Sequence, residues 1–211
     1  MSNETASAEV KPDAAFGLQV ITLTQDTAKA AVTCDQEYNL FVDSGNLLPF
    51  TVPQKVWPTL GRVDRLTVQA YQRVEAAVHV ATCPDSQALA STLLGVQFFN
   101  PRTGQQLNYQ IITFDSRGAQ FDGLWWSFVA PNGATVYGVN DSVPVPLEPG
   151  GDGRIFAVEI LARMKELMAH NPLGLDTDPP GSWRIIGMYG GSYTNGGARI
   201  KSTQGFFNLE Y

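Results

Sequence analysis

Only two histidines, His79 and His170, occur among the 211 residues. Histidine is the side chain whose ordinary pKa lies nearest neutrality, so imidazole acid–base chemistry has few places to sit. His170 closes a helical pattern on its polar side, where a cation interacts well with the helix dipole. His79 lies between Val78 and Val80 in a strand-like run, and no nucleophile is singled out to work with it. There is no Gly-x-Ser-x-Gly elbow, and the glycine-rich stretch 187–197 lacks the Gly-Lys-Ser/Thr ending of a phosphate loop. Cys34 and Cys83 form no Cys-x-x-Cys pair, and no His-x-x-x-His occurs, so the ligand spacing of a zinc site is missing. Two cysteines are also too few for a disulfide scaffold, and both are expected to be reduced.

Carboxylates offer a second chemistry. Glycoside hydrolysis needs two of them roughly 5–10 Å apart. Asp115 and Asp122 are expected to flank one hairpin turn on neighbouring strands, which makes them the candidate pair. Asp115 equally suits building the turn, and Asp122 a solvated strand face. Acidic loops raise calcium, which takes about six to eight oxygens. Asp141, Glu148 and Asp152 share one loop, and Asp176 and Asp178 another. Asp152 has a competing use as a helix N-cap, which leaves Asp141, Asp176 and Asp178 as weak calcium candidates. Their spacing matches no calcium loop, so neither a metal nor a cofactor is expected.

Aromatic residues carry the clearest binding chemistry. In the run 120–130, strand alternation sends Leu124, Trp126 and Phe128 to one face and Phe121, Gly123, Trp125 and Ser127 to the other. The first set is expected inside. Trp125, on the more polar face, becomes a candidate platform for a sugar ring or another flat ligand. A second patch, from Tyr189 to Gly197 and then Arg199, reads as a loop rich in Tyr, Ser, Gly and Asn. That mixture supplies rigid amphipathic rings beside adaptable hydrogen-bonding groups. Tyr189, Tyr193, Asn195 and Arg199 are its candidate ligand contacts. A core role for the same tyrosines and tryptophans is the competing reading.

The elements that position these residues follow from turns and periodicity. Charged residues make up 16% of the chain, well below the usual share of about 25%. Gly and Pro number 20 and 13, which argues against a helical bundle, while 44% apolar residues argue against disorder. Residues 1–15 read as a flexible or docking arm, and 16–211 as one β-rich domain. Runs at 18–23, 28–33 and 38–42 look like strands, and 65–82 reads as a strand with a helix as the alternative. Runs at 96–100, 106–114, 120–130 and 135–139 are joined by turn-forming segments and are expected to form an antiparallel meander. Two helices are expected, a short one near 86–94 and an amphipathic one near 154–170. The whole is a mainly β antiparallel sandwich of jelly-roll type with one inserted helix, with a β-barrel as the alternative.

Charge narrows the partners. The net charge is −6, and residues 1–48 hold seven acids against two bases, leaving −1 for the other 163 residues. Without a basic stripe, nucleic acid is an unsuitable partner. No run of 18 apolar residues occurs, so no membrane-spanning helix is expected. The opening Met1-Ser2-Asn3-Glu4 lacks the charged and apolar regions of an ordinary signal peptide, so a cytoplasmic location or export by another route is expected. A nearly neutral, aromatic-rich body suits an uncharged ligand such as a glycan, or copies of itself. The expected function is a non-catalytic, lectin-like carbohydrate-binding module; the alternatives are a self-assembling homo-oligomeric coat, shell or inclusion component and a small carboxylate-dependent enzyme.

Overall fold

Apolar and polar side chains alternate along most of the chain, and the structure resolves that alternation into two packed sheets. A computed structural model describes residues 6–13, 18–26, 37–43, 58–78, 89–118, 125–139, 146–171, 174–176, 180–195 and 198–211. The strands are β1 (Ala6–Asp13), β2 (Leu18–Asp26), β3 (Glu37–Asp43), β4 (Thr67–Val78), β5 (Leu89–Phe99), β6 (Gln106–Asp115), β7 (Trp125–Val129) and β8 (Thr135–Val139). They continue as β9 (Arg154–Glu159), helix α1 (Leu161–His170), β10 (Arg184–Asn195) and β11 (Arg199–Glu210). A five-stranded sheet has the order β1-β2-β11-β4-β9, and a six-stranded sheet the order β3-β10-β5-β6-β8-β7. The chain is a β-sandwich rather than a closed barrel, as the turn-rich composition implies.

Between the sheets, Leu94, Val96 and Phe98 of β5 and Leu107, Tyr109 and Ile111 of β6 meet Val68, Ala70 and Val74 of β4 and Ile200 of β11, all fully buried. Each such side chain contributes on the order of 1.5–3 kcal/mol by leaving water. Helix α1 covers one end of this core with Leu161, Met164, Leu167 and Met168. Trp183 is fully buried beside it, and its indole N–H donates to the Asp176 carbonyl at 2.7 Å.

Polar groups also cross the interior, and one linked set around Gln72 is fully paired. Gln72 on β4 donates to the Leu93 carbonyl at 2.9 Å and to Gln204 Oε1 at 2.6 Å. Its own carbonyl accepts from the Thr113 hydroxyl at 2.6 Å, and Thr113 pairs with Thr92 at 2.8 Å. Buried polar groups cost stability unless paired, and this chain of bonds pairs them while tying the sheets together.

Four expected elements take another form. Residues 154–159 are strand rather than the first turns of a helix, because Phe156 and Val158 point inward while Ile155, Ala157 and Glu159 point out. The backbone of β9 pairs with β4, so its hydrogen bonds are spent on the sheet. Asp152 therefore caps nothing. Helix α1 starts at Leu161, whose N–H donates to Glu159 Oε1 at 2.9 Å. Residues 89–94 of the expected short helix lie in β5, where they are buried with neighbouring strands on both sides; residues 86–88 lie outside the described residues. The meander is broken as well. β8 inserts between β6 and β7 and runs parallel to β6, so β6 and β7 are not neighbours. Residues 6–13 of the expected arm form the edge strand β1, paired along its length with β2. The expected strand at 28–33 and both cysteines lie outside the described residues.

Candidate binding groove

The six-stranded sheet has one face on the core and one turned away from the five-stranded sheet. On the outward face lies a groove of about 640 Å³. It is floored by a small apolar cluster of Leu89, Leu93, Ile112, Tyr189 and Tyr193, with Phe41 packed against it. Strand alternation makes this face, since Leu93, Gly95 and Gln97 of β5 point away from the core that Leu94, Val96 and Phe98 enter.

Tyr189 is locked into the floor. In the strand register it stands beside Gly95, which in turn faces Gln110. The phenol ring lies on the bare backbone of Gly95, where any side chain would overlap the ring. Gln110 donates to the Tyr189 hydroxyl at 2.9 Å, and the Phe41 ring packs against Tyr189 with centroids 5.3 Å apart. The polar lining is mostly amide: Asn39, Gln97, Asn108, Gln110 and Asn195. Gln97 and Asn108 face each other across β5 and β6, both half-buried. Neither side-chain amide has a hydrogen-bond partner among the described residues. Beyond Asn108 along the same row stand Val136 and then Phe128. No carboxylate lines the groove among the described residues.

One cation, Arg117, reaches the lining, and Asp115 neutralises it. The Asp115 carboxylate accepts from the Arg117 backbone N–H at 2.9 Å and from its guanidinium Nε at 2.9 Å. Asp115 thus builds the turn after β6 and is engaged in an ion pair there. Its expected partner Asp122 lies outside the described residues, and β7, the next strand in sequence, does not neighbour β6.

Of the candidate ligand contacts, Tyr189, Tyr193 and Asn195 come together in the groove. They do so on a strand, not a loop. β10 is paired with β3 on one side and β5 on the other, and Gly190 is required because a side chain there would overlap the Phe207 ring. Arg199 belongs to β11 in the other sheet, where its Nε donates to Asp26 at 2.9 Å. The backbone of Trp125 pairs with Val139, but its side chain, like that of Trp126, lies outside the described residues. Phe128, expected inside, is 46% exposed and lines the groove. β7 is the outer edge strand rather than the middle of a meander, so the core does not reach that face. Asp176 pairs with Arg102, while His79, Asp141 and Asp178 lie outside the described residues. Among the described residues no group of three His, Cys, Asp or Glu could hold a metal ion, and no helix is long and apolar enough to cross a membrane.

Sequence reasoning missed Asn39, Phe41, Gln97, Asn108, Gln110 and Phe128 as groove residues. The signal that finds them is strand parity, once Tyr189 and Tyr193 are placed on β10 and the register carries their face to β5 and β6.

No protein-family model matches the chain, and no curated protein matches it. Solved structures do. The catalytic domain of Humicola grisea Cel12A, solved in complex with a soaked thio cellotetraose, matches with a TM-score of 0.55 at 13% identity, over 98% of this chain and 87% of that one. A native family 12 xyloglucanase from Bacillus licheniformis matches with a TM-score of 0.47 at 7% identity, over 100% and 83%. A family 11 xylanase from Neocallimastix patriciarum gives 0.45 at 11% identity, over 100% and 93%. The fold is a jelly-roll sandwich. At such identities the likeness is one of fold, and residue roles must come from this chain's own geometry.

Proposed function

We propose that the groove on the six-stranded sheet binds an uncharged oligosaccharide and holds it without cleaving it. The observation that carries this reading is the lining: five primary amides beside exposed Phe128, with the one cation neutralised by Asp115. A primary amide both donates and accepts, which suits the hydroxyls of a neutral sugar. An aromatic ring offers apolar area to the C–H face of a sugar. A volume of about 640 Å³ falls within the usual range for ligand sites, about 300–1,000 Å³. The lining runs from β3 to β7, five strand spacings or roughly 24 Å, which suits a chain of sugars better than one ring. A shared fold with a domain solved with a thio cellotetraose supports the same ligand class. The described lining provides no pair of carboxylates to run acid–base hydrolysis, which supports holding over cutting.

Calorimetric titration with neutral tetrasaccharides, paired with a reducing-end assay on the same samples, tests both halves. Saturable heat with no new reducing ends is the expected outcome. Turnover that survives Asp115→Asn and Asp122→Asn would still defeat the non-catalytic half, because any enzyme would remove it.

A self-associating role is a second reading, favoured by one observation. Val10 on β1, Ile155 on β9 and Val129 on β7 are 63%, 56% and 69% exposed, and all three strands are sheet edges. Exposed apolar edges invite pairing with another copy. Light scattering decides it: a particle several times the 22.9 kDa chain supports the reading, and a monomer at high concentration removes it.

A further inference from the structure

We infer that the groove selects a sugar carrying an acetamido group, and that the facing pair Gln97 and Asn108 reads that group. This rests on the glycan-binding reading and narrows its ligand. The starting observation is unused capacity. Gln97 and Asn108 stand opposite each other on β5 and β6, half-buried, and their side-chain amides have no partner among the described residues. By contrast, the neighbouring amide of Gln110 is already committed to the Tyr189 hydroxyl.

The two amides are half-buried and open to water, so a ligand that displaces that water must offer both a donor and an acceptor in its place. A sugar hydroxyl pairs with one end of a primary amide at a time. A secondary amide is trans, with its N–H and C=O pointing opposite ways, so it can bridge two primary amides and make one hydrogen bond with each. An acetamido group also carries a methyl, which needs apolar cover. The next positions along the row supply it: Val136 stands opposite Asn108, and Phe128 opposite Val136. Both line the groove. Amide pair and apolar neighbours thus lie side by side on four adjoining strands, β5, β6, β8 and β7. The neutral charge of the lining fits too, since an acetamido sugar is uncharged while its de-acetylated form is a cation.

The test is a titration of the full chain with three tetrasaccharides: an N-acetylglucosamine tetramer, its de-acetylated tetramer, and cellotetraose. The N-acetylated ligand is expected to bind about tenfold or more tightly than either of the others, corresponding to one additional well-formed hydrogen bond. Asn108→Leu should bring its affinity down to that of cellotetraose, with an unchanged thermal transition showing that the variant is folded. If cellotetraose binds as tightly as the N-acetylated ligand, the inference is overturned while the glycan-binding reading survives. If no tetrasaccharide binds, both fall together. Loss of preference in Asn108→Leu accompanied by a collapsed thermal transition would shift the decision to Gln97→Leu, with the same expected result.

Discussion

The outward faces of the two sheets are made from the same pleated backbone and carry opposite chemistry. On the five-stranded sheet the side chains satisfy one another. Glu75 pairs with Lys201 and accepts from Thr203 at 2.8 Å, Arg65 pairs with Glu210, and Asn208 donates to Gln69 at 3.1 Å. On the six-stranded sheet the polar lining of the groove is mostly neutral amides; Gln97 and Asn108 are without partners among the described residues, and the buried Asn195 Oδ1 is unpaired as well. A self-paired face gains little by meeting a ligand, since each new bond must replace an old one. A face with unspent donors and acceptors can bond a ligand by displacing water alone, without breaking a bond within the protein. Function is therefore assigned to the amide face on hydrogen-bond accounting rather than on the presence of polar residues as such.

Imposing the chemistry of one face on the other is the severest way to break that contrast. Installing an ion pair in the groove by the double change Gln97→Glu and Asn108→Lys should cost about a hundredfold in glycan affinity, read by calorimetry. Fold stability should move by less than about 0.5 kcal/mol, because both positions are partly open to water. A smaller effect is expected for Gly95→Ala. The added methyl group displaces the Tyr189 ring from the floor and should cost about 1–3 kcal/mol in chemical denaturation. On the charged face, Lys201→Ala removes an exposed pair and should cost at most about 1 kcal/mol, with glycan affinity unchanged.

The smallest effect concerns pH. Burial pushes the Glu75 carboxyl up, but its bonds from Lys201 and Thr203 together outweigh burial and hold it below the ordinary carboxylate value. A carboxyl depressed in the folded state stabilises the fold above its unfolded pKa, and that contribution fades as pH falls through the folded value. Glu75→Gln should therefore be slightly less stable near neutrality and show a shallower loss on acidification. Denaturation curves taken across the acid range read the slope directly.

Much of the fold was legible because turns announce themselves. The segments expected to turn at 101–104, 115–118 and 131–133 do so, with Gly104, Gly118 and Gly133 at φ of 76°, 73° and 83°. Turn chemistry is local, however, and says where a strand ends, not which strand it joins. Nothing near Asp115 signals that β8 rather than β7 will lie beside β6. The stretch 154–160, expected as the start of a helix, differs for a similar reason. Phe156 and Ile160 are spaced as on one helix face, yet Phe156, Val158 and Ile160 also alternate as in a strand, and pairing with β4 decides between them. Tyr189, Tyr193 and Asn195 were singled out by type and do lie in the groove, although on a strand. The amides were not legible, because a Gln or Asn in a β run looks the same on a solvated face as in a binding groove. Only the register shows that Gln97 faces Asn108.

The most direct measurement follows the side-chain amide resonances of Gln97, Asn108 and Gln110 by nuclear magnetic resonance during titration with an uncharged oligosaccharide. The account expects saturable shifts in these signals, with Gln69 and Asn208 on the opposite sheet unmoved. Binding that shifts Gln69 and Asn208 while leaving the groove amides in place would contradict it.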